Sequence, residues 1–167
     1  MSQESSVVDP MAFAREGRRW QRALPLSRFP RIALEALGSE GELEVSVTGW
    51  VDREGHSFLG LEVVGELTVG CQRCMEPMVW SFHVDNRLML VPEGRPFPED
   101  ELDDDRYDAI EVSARLDLAE LAEEEVLLAM PISPRHESCE VPSESDGASR
   151  ASPFAGLAKL RGSDGQV

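Results

Sequence analysis

The sequence predicts an α+β fold: an antiparallel β-sheet with one long amphipathic helix packed on it and short flanking helices. Two observations carry this expectation. Three stretches alternate apolar and polar residues with a period of two, the pattern of strands with one wet face. A single stretch near residue 120 instead carries an apolar stripe at helical spacing. The 167 residues suffice for one domain spanning 1–167. Hydrophobic residues make up 41% but aromatic ones only 6%, which predicts a modest core.

The elements follow in order. Residues 1–28 form a basic N-terminal segment. Arg15, Arg18, Arg19, Arg22, Arg28 and Arg31 are opposed only by Glu16 and interrupted by Trp20 and Phe29. One reading is an arm that contacts RNA, through Arg15, Arg18, Arg19 and Arg22 on phosphates and Trp20 stacked on a base. The other is a solvated segment lying across the acidic body of its own domain. After Pro30, the run Arg31-Ile-Ala-Leu-Glu-Ala-Leu reads as a short helix stopped by Gly38.

Leu43, Val45 and Val47 alternate with polar residues as a half-buried strand, and Asp52-Arg-Glu-Gly is a turn. Leu59, Leu61, Val63, Leu67 and Val69 keep one phase, with Gly65 marking a bulge or a close approach. Met78, Trp80, Phe82, Val84, Leu88 and Leu90 form the next strand. Residues 92–106 are rich in Pro, Asp and Glu and read as a mobile acidic loop. Its cluster around Glu99 to Asp105 lacks the glycine and spacing of a calcium loop and reads as solvated. Ile110 and Val112 make a short strand.

The long helix begins at Asp117, an N-cap followed three residues later by Glu120. Leu118, Leu121, Ala122, Val126 and Ala129 lie on its stripe, widened by Leu128, and Pro131 ends it. Glu125 points with the apolar face, and a buried carboxylate needs a partner. Arg73 is the expected one. Residues 140–152 form a linker to a short C-terminal helix, Pro153 to Arg161, with Phe154, Leu157 and Leu160 on one face and Lys159 and Arg161 beside it. That helix has two candidate seats, its own domain or a partner.

Chemistry concentrates in the cysteines. Cys71 and Cys74 form Cys-Gln-Arg-Cys in the turn between two strands, and His136 and Cys139 form His-Glu-Ser-Cys after the long helix. Each pair has the two-residue gap with which neighbouring side chains grip one tetrahedral ion, so the four are candidate ligands of a structural zinc. Other readings stand beside it: inert thiols in turns, a redox dithiol, or significance for the first pair alone. A strand rather than a helix follows Cys74, which disfavours the redox dithiol. The sequence has no phosphate-binding loop, dinucleotide fingerprint or nucleophile elbow, so no enzyme and no small-molecule substrate are expected.

The net charge of −16 argues against broad nucleic-acid binding and suits a basic partner or simple solubility. Residues 1–6 lack the features of a secretory leader, no apolar run approaches a membrane span, and three cysteines do not fit a disulfide framework. A reduced, cytoplasmic protein without a membrane partner is expected.

Three blocks of the sequence resemble the YceD family, named for large ribosomal RNA subunit accumulation. They are Leu67 to Pro77 around Cys-Gln-Arg-Cys, Leu118 to His136 through the long helix and its proline-rich exit, and Pro153 to Leu160. The resemblance implies a bacterial factor for the synthesis, processing or stability of 23S ribosomal RNA. Its partner would be a ribosomal protein or ribosomal RNA of the large subunit. Cys71, Arg73, Cys74, Glu125, Pro131, Pro134 and Phe154 match recurrent positions of the family. Some relatives end in a second Cys-x-x-Cys, whereas this chain has His136 and Cys139 and no later cysteine. Two alternatives remain open: a direct RNA-binding protein acting through the N-terminal arginines, and a zinc-stabilised interaction module without a ribosomal role.

Overall fold

The structure is a computed structural model describing residues 5–38, 40–97 and 106–141. The expected loop cluster from Glu99 to Asp105 and the expected C-terminal helix lie outside those residues.

The elements are β1 (Val7–Val8), α1 (Pro10–Arg15), β2 (Arg19–Pro25), α2 (Pro30–Glu35), β3 (Glu42–Val51), β4 (Ser57–Gly70), β5 (Pro77–Pro92), β6 (Asp108–Val112), β7 (Leu116–Asp117) and α3 (Leu118–Ala129). The main sheet has the order β2-β3-β4-β5-β6, and β1 pairs with β7 as a small ribbon. Strands β2 to β5 form an antiparallel meander.

Strand β6 joins β5 in parallel, with Leu88 opposite Asp108 and Pro92 opposite Val112. The sheet is therefore mixed, not wholly antiparallel. A tight turn would force an antiparallel return, but the connection from Pro92 to Asp108 is long enough for the chain to cross back and run the same way.

Alternation puts Leu43, Val45 and Val47 of β3 beside Leu59, Leu61, Val63, Leu67 and Val69 of β4 on one face. Phe82, Val84, Leu88 and Leu90 continue it on β5. The helices cover this face, contributing Phe13 and Ala14 from α1, Ile32 from α2, and Leu118, Ala122 and Val126 from α3. The other face carries Glu44, Glu62, Glu66 and Asp85 in water. A second, smaller apolar cluster sits at one end of that wet face, where Trp50 stacks on Phe58 with ring centroids 5.5 Å apart.

Gly65 makes no bulge, since the β4–β5 register runs unbroken through Gly65↔Phe82. It is a close approach: a methyl group there would overlap Leu43 Cδ2. Asp117 caps α3, accepting from the Ala119 N–H at 2.9 Å. No helix among the described residues is long and apolar enough to cross a membrane.

The N-terminal basic segment is folded into this frame. Trp20 points into the core and is 4% exposed, so it does not serve as a stacking platform. Arg18 and Arg22 lie over the rings of Phe13 and Trp20, at 5.3 and 5.9 Å from the centroids. Arg31 is drawn into an ion pair with Glu123 of α3.

Candidate metal centre

The antiparallel pairing of β4 and β5 reaches Gly70↔Pro77, so residues 71–76 form the tip of a long hairpin. The tip closes through Cys71 N–H to Glu76 O and Met75 N–H to Cys71 O, both 2.9 Å. Met75 takes φ = 66° to do so, a left-handed conformation uncommon outside glycine. Turning the chain this sharply brings Cys71 and Cys74 to the same side.

The other two candidate ligands arrive from far along the chain. Pro131 ends α3, and the segment after it returns to the hairpin tip, where the Gln72 N–H donates to Pro134 O at 2.8 Å. Beyond that anchor, Cys74 Sγ lies 3.4 Å from His136 Nδ1 and Cys71 Sγ lies 3.8 Å from Cys139 Sγ. The four ligand atoms all lie within 4.8 Å of one another.

A tetrahedral zinc with bonds of about 2.3 Å to sulfur and 2.0 Å to nitrogen has ligand–ligand edges of roughly 3.5–3.8 Å. The closest contacts here match those edges. Three thiols and an imidazole are also the donors zinc prefers. The cluster is therefore compatible with a structural metal site, and its four protein ligands would leave no position for a catalytic water.

Electrostatics prepares one ligand and burdens another. Burial opposes ionisation of Cys71, but backbone N–H groups of Cys74, His136 and Arg73 turned toward its sulfur prevail and hold the thiol down to about 5. Cys139 is pushed up by burial and by the neighbouring sulfurs of Cys71 and Cys74. A divalent cation among the thiols would reverse that burden, because coordinated thiols give up their protons.

The other expected site residues are not brought together in the same way. Arg73 is exposed in the hairpin tip. Glu125 is buried as its spacing required, but its partner is Asn86, which donates from the inner face of β5. Burial raises the carboxyl of Glu125, against the lowering effect of the Asn86 hydrogen bond, and the nearby charges of Asp108 and Glu124 raise it further. With the folded value above the unfolded one, this group stabilises fully at low pH, and its contribution is lost as pH rises through the folded value. Glu125→Gln keeps an acceptor for Asn86 without the charge. Chemical denaturation should find it as stable as the parent or more so at pH 7, with the difference vanishing toward about pH 4.

The buried charge that sequence reasoning missed is Glu123. It lies off the apolar stripe of α3 yet is 3% exposed, because α2 packs over it. Its Oε1 accepts from the backbone N–H groups of Arg31 and Ile32 at 2.7 and 3.2 Å, and its Oε2 from Arg31 Nε at 2.9 Å. Nothing local in the sequence marks this contact, which joins residues ninety positions apart. The available signal was a basic residue, Arg31, just inside the first turn of a short helix whose next three residues are apolar. Arg15, Arg18 and Arg19 are exposed, and Arg22 is half-buried at the β2 edge of the sheet.

The family model described as large ribosomal RNA subunit accumulation protein YceD matches residues 59–161, more than half of the chain and inclusive of all four metal-compatible residues. A large ribosomal RNA subunit accumulation protein YceD of Haemophilus influenzae is 26% identical over 169 residues, covering 93% of this chain and 94% of that protein. No solved structure matches. A Cys-x-Arg-Cys hairpin tip, a long capped helix with a proline exit, and the segment that follows thus lie together in one matched region, and the chain belongs to the YceD family.

Proposed function

We propose that this chain is a non-enzymatic accessory factor in the synthesis, processing or stability of 23S ribosomal RNA, acting by binding a basic protein of the large ribosomal subunit. The observation that carries the reading is the family match over residues 59–161. The surface supports a basic protein over RNA. A concavity of about 470 Å³ on the wet side of the sheet is lined by Glu40, Glu42, Glu44 and Glu66 around Val64 and Val79. Val79 is 60% exposed, so apolar contact is on offer beside the charge. Such a surface repels phosphate and attracts lysine and arginine.

We also propose that Cys71, Cys74, His136 and Cys139 hold a structural zinc. Its role is to fasten the segment after α3 to the hairpin tip. The ligands lie outside the main apolar core, so the expected effect of losing one is local. Cys74→Ser should abolish about one bound zinc per chain and speed amide exchange in residues 131–141, with the melting of the core little changed. Protein that takes up no zinc would show that the cluster is not a metal site, and zinc-free protein with the same exchange as zinc-loaded protein would show that the ion does not fasten this segment.

A second reading keeps direct RNA contact. Arg15, Arg18, Arg19 and Arg22 run from the end of α1 along β2, an edge strand of the sheet. Tagged protein recovered from growing cells at moderate salt, with and without RNase, separates the two. A basic large-subunit protein that stays bound after RNase supports the escort reading. Ribosomal RNA whose removal takes every partner with it supports the arginine edge. That mode would also fall steeply with salt and disappear when Arg18, Arg19 and Arg22 become alanine. Normal ribosomal RNA levels in a deletion strain would overturn both.

A further inference from the structure

Helix α3 leaves part of its apolar stripe uncovered. Leu128, which its spacing assigns to that stripe, is 80% exposed. It stands at the lip of a groove of about 530 Å³ between α3 and β6, floored by Ile110, Leu116, Leu121 and Leu127. Leu121 is buried, and Ile110, Leu116 and Leu127 pack against the main core, so the floor is a face of that core. Strand β6 has β5 on one side and no strand on the other among the described residues. The charged groups along the groove are Glu111, Glu124, Glu125 and Arg31, and the guanidinium is already engaged by Glu123 and Glu124.

A second concavity, of about 470 Å³, shares Leu128 and Glu125 with the first. Strand β6 pairs with β5 only from Leu88↔Asp108 onward, so the edge of β5 from His83 to Asn86 is left to border this hollow. Asp85, Asp108 and Glu125 line it, and no lysine or arginine does among the described residues. Its imidazole, His83, faces Glu62 at 3.0 Å. The last turn of α3 lines the hollow through Leu128 and Ala129 and carries no basic residue, although the free carbonyls of a helix end favour a cation. An apolar groove and an acidic hollow thus meet at one exposed leucine.

We propose that this surface docks a basic amphipathic helix of a partner protein, with apolar side chains in the groove around Leu128 and a lysine or arginine in the acidic hollow. This rests on the reading that the chain binds a basic protein, and it gives that protein a contact apart from the glutamates on the wet side of the sheet. An amphipathic helix presents apolar side chains three and four residues apart along one edge, the form that such a groove accepts. Charge chooses among the occupants. A second copy would bring its own share of a net charge of −16 to an acidic surface, and RNA would bring phosphates. Burial and the charges of Asp108 and Glu124 push the Glu125 carboxyl up against the Asn86 hydrogen bond, and a partner's cation beside it would draw it back down.

The test places a photo-reactive benzoylphenylalanine at position 128 of the full-length chain in growing cells. Cross-links should map to one protein, at a segment with apolar residues three or four apart and lysine or arginine beside them. That protein, purified, is then titrated against the parent, Leu128→Arg and Asp108→Lys. Asp108→Lys supplies the hollow with a cation of the chain's own. Both changes fall on exposed side chains, so melting temperatures should match the parent, whereas each should weaken binding about tenfold or more. Cross-links only within the chain, to a second copy, to an acidic protein or to RNA overturn the proposal, as does their absence. So does a purified partner that binds both variants as tightly as the parent. That last result leaves the basic-protein reading standing on the glutamate concavity of the sheet, whereas a tagged parent chain that recovers no basic protein sinks that reading as well.

Discussion

Replacing Glu123 with alanine is expected to destabilise the protein by about 2–3 kcal/mol, read as a lower urea midpoint at unchanged slope. The loss comes from the backbone. Glu123 Oε1 serves the N–H groups of Arg31 and Ile32, which open α2 and have no intrahelical partners. Ile32 is fully buried, so its N–H would find no water in place of the carboxylate. Oε2 by contrast binds the Arg31 side chain, which is 45% exposed and can be rehydrated. Glu123→Gln separates the two contributions. It retains one oxygen for the backbone donors, so most of the stability should return. If glutamine is as damaging as alanine, the charge matters more than the acceptor, and the stability of the parent should then fall with added salt.

Gly49→Ala should lower stability by about 2 kcal/mol in the same measurement. A Cβ on Gly49 would lie 2.7 Å from both Ala14 Cα and Phe13 O. Those are backbone atoms, so no side chain can rotate away and α1 itself must shift. Phe13 and Ala14 are each 1% exposed, and the Gly49 N–H donates to Arg18 O at 2.9 Å, which fixes the approach of α1 to β3. The gain from a less flexible unfolded chain opposes this cost without cancelling it. An unchanged midpoint would mean that α1 slides freely over the sheet, and amide exchange in residues 10–15 would then be fast.

The strands were legible because each has a wet face, and a period of two survives in β3, β4 and β5 when water and core alternate. The cysteine cluster was legible for a related reason, since ligand pairs with a two-residue gap are local words even when the pairs lie sixty residues apart. What escaped notice depends on packing between elements. Nothing near Glu123 names Arg31, and nothing near Gly49 names Ala14. Glu125 was correctly placed inside, but its partner was sought in the cysteine turn, whereas pleating puts Asn86 on the inner face opposite Leu61. Trp20 was misplaced because it was read as part of a charge run rather than as an inward position on β2, where Val47 is its cross-strand neighbour. The parallel pairing of β6 follows from a long connection, whose direction of return no local pattern encodes.

The β4–β5 hairpin outgrows its sheet. Strand β3 accompanies β4 only as far as Glu44↔Val64, and from Gly65↔Phe82 to Gly70↔Pro77 the two strands run on as a pair, steadied on one edge by the Leu37 N–H on Thr68 O. A two-stranded ribbon is marginal by itself in water. Here its inner face stays in the core through Leu67 and Val69, and only the tip with its cysteines projects beyond that packing. The Gln72 N–H on Pro134 O ties the tip to the chain after α3. On the zinc proposal a metal ion would be a second tie, so the stiffness of the tip would answer to metal supply and oxidants while the rest of the hairpin answers only to packing.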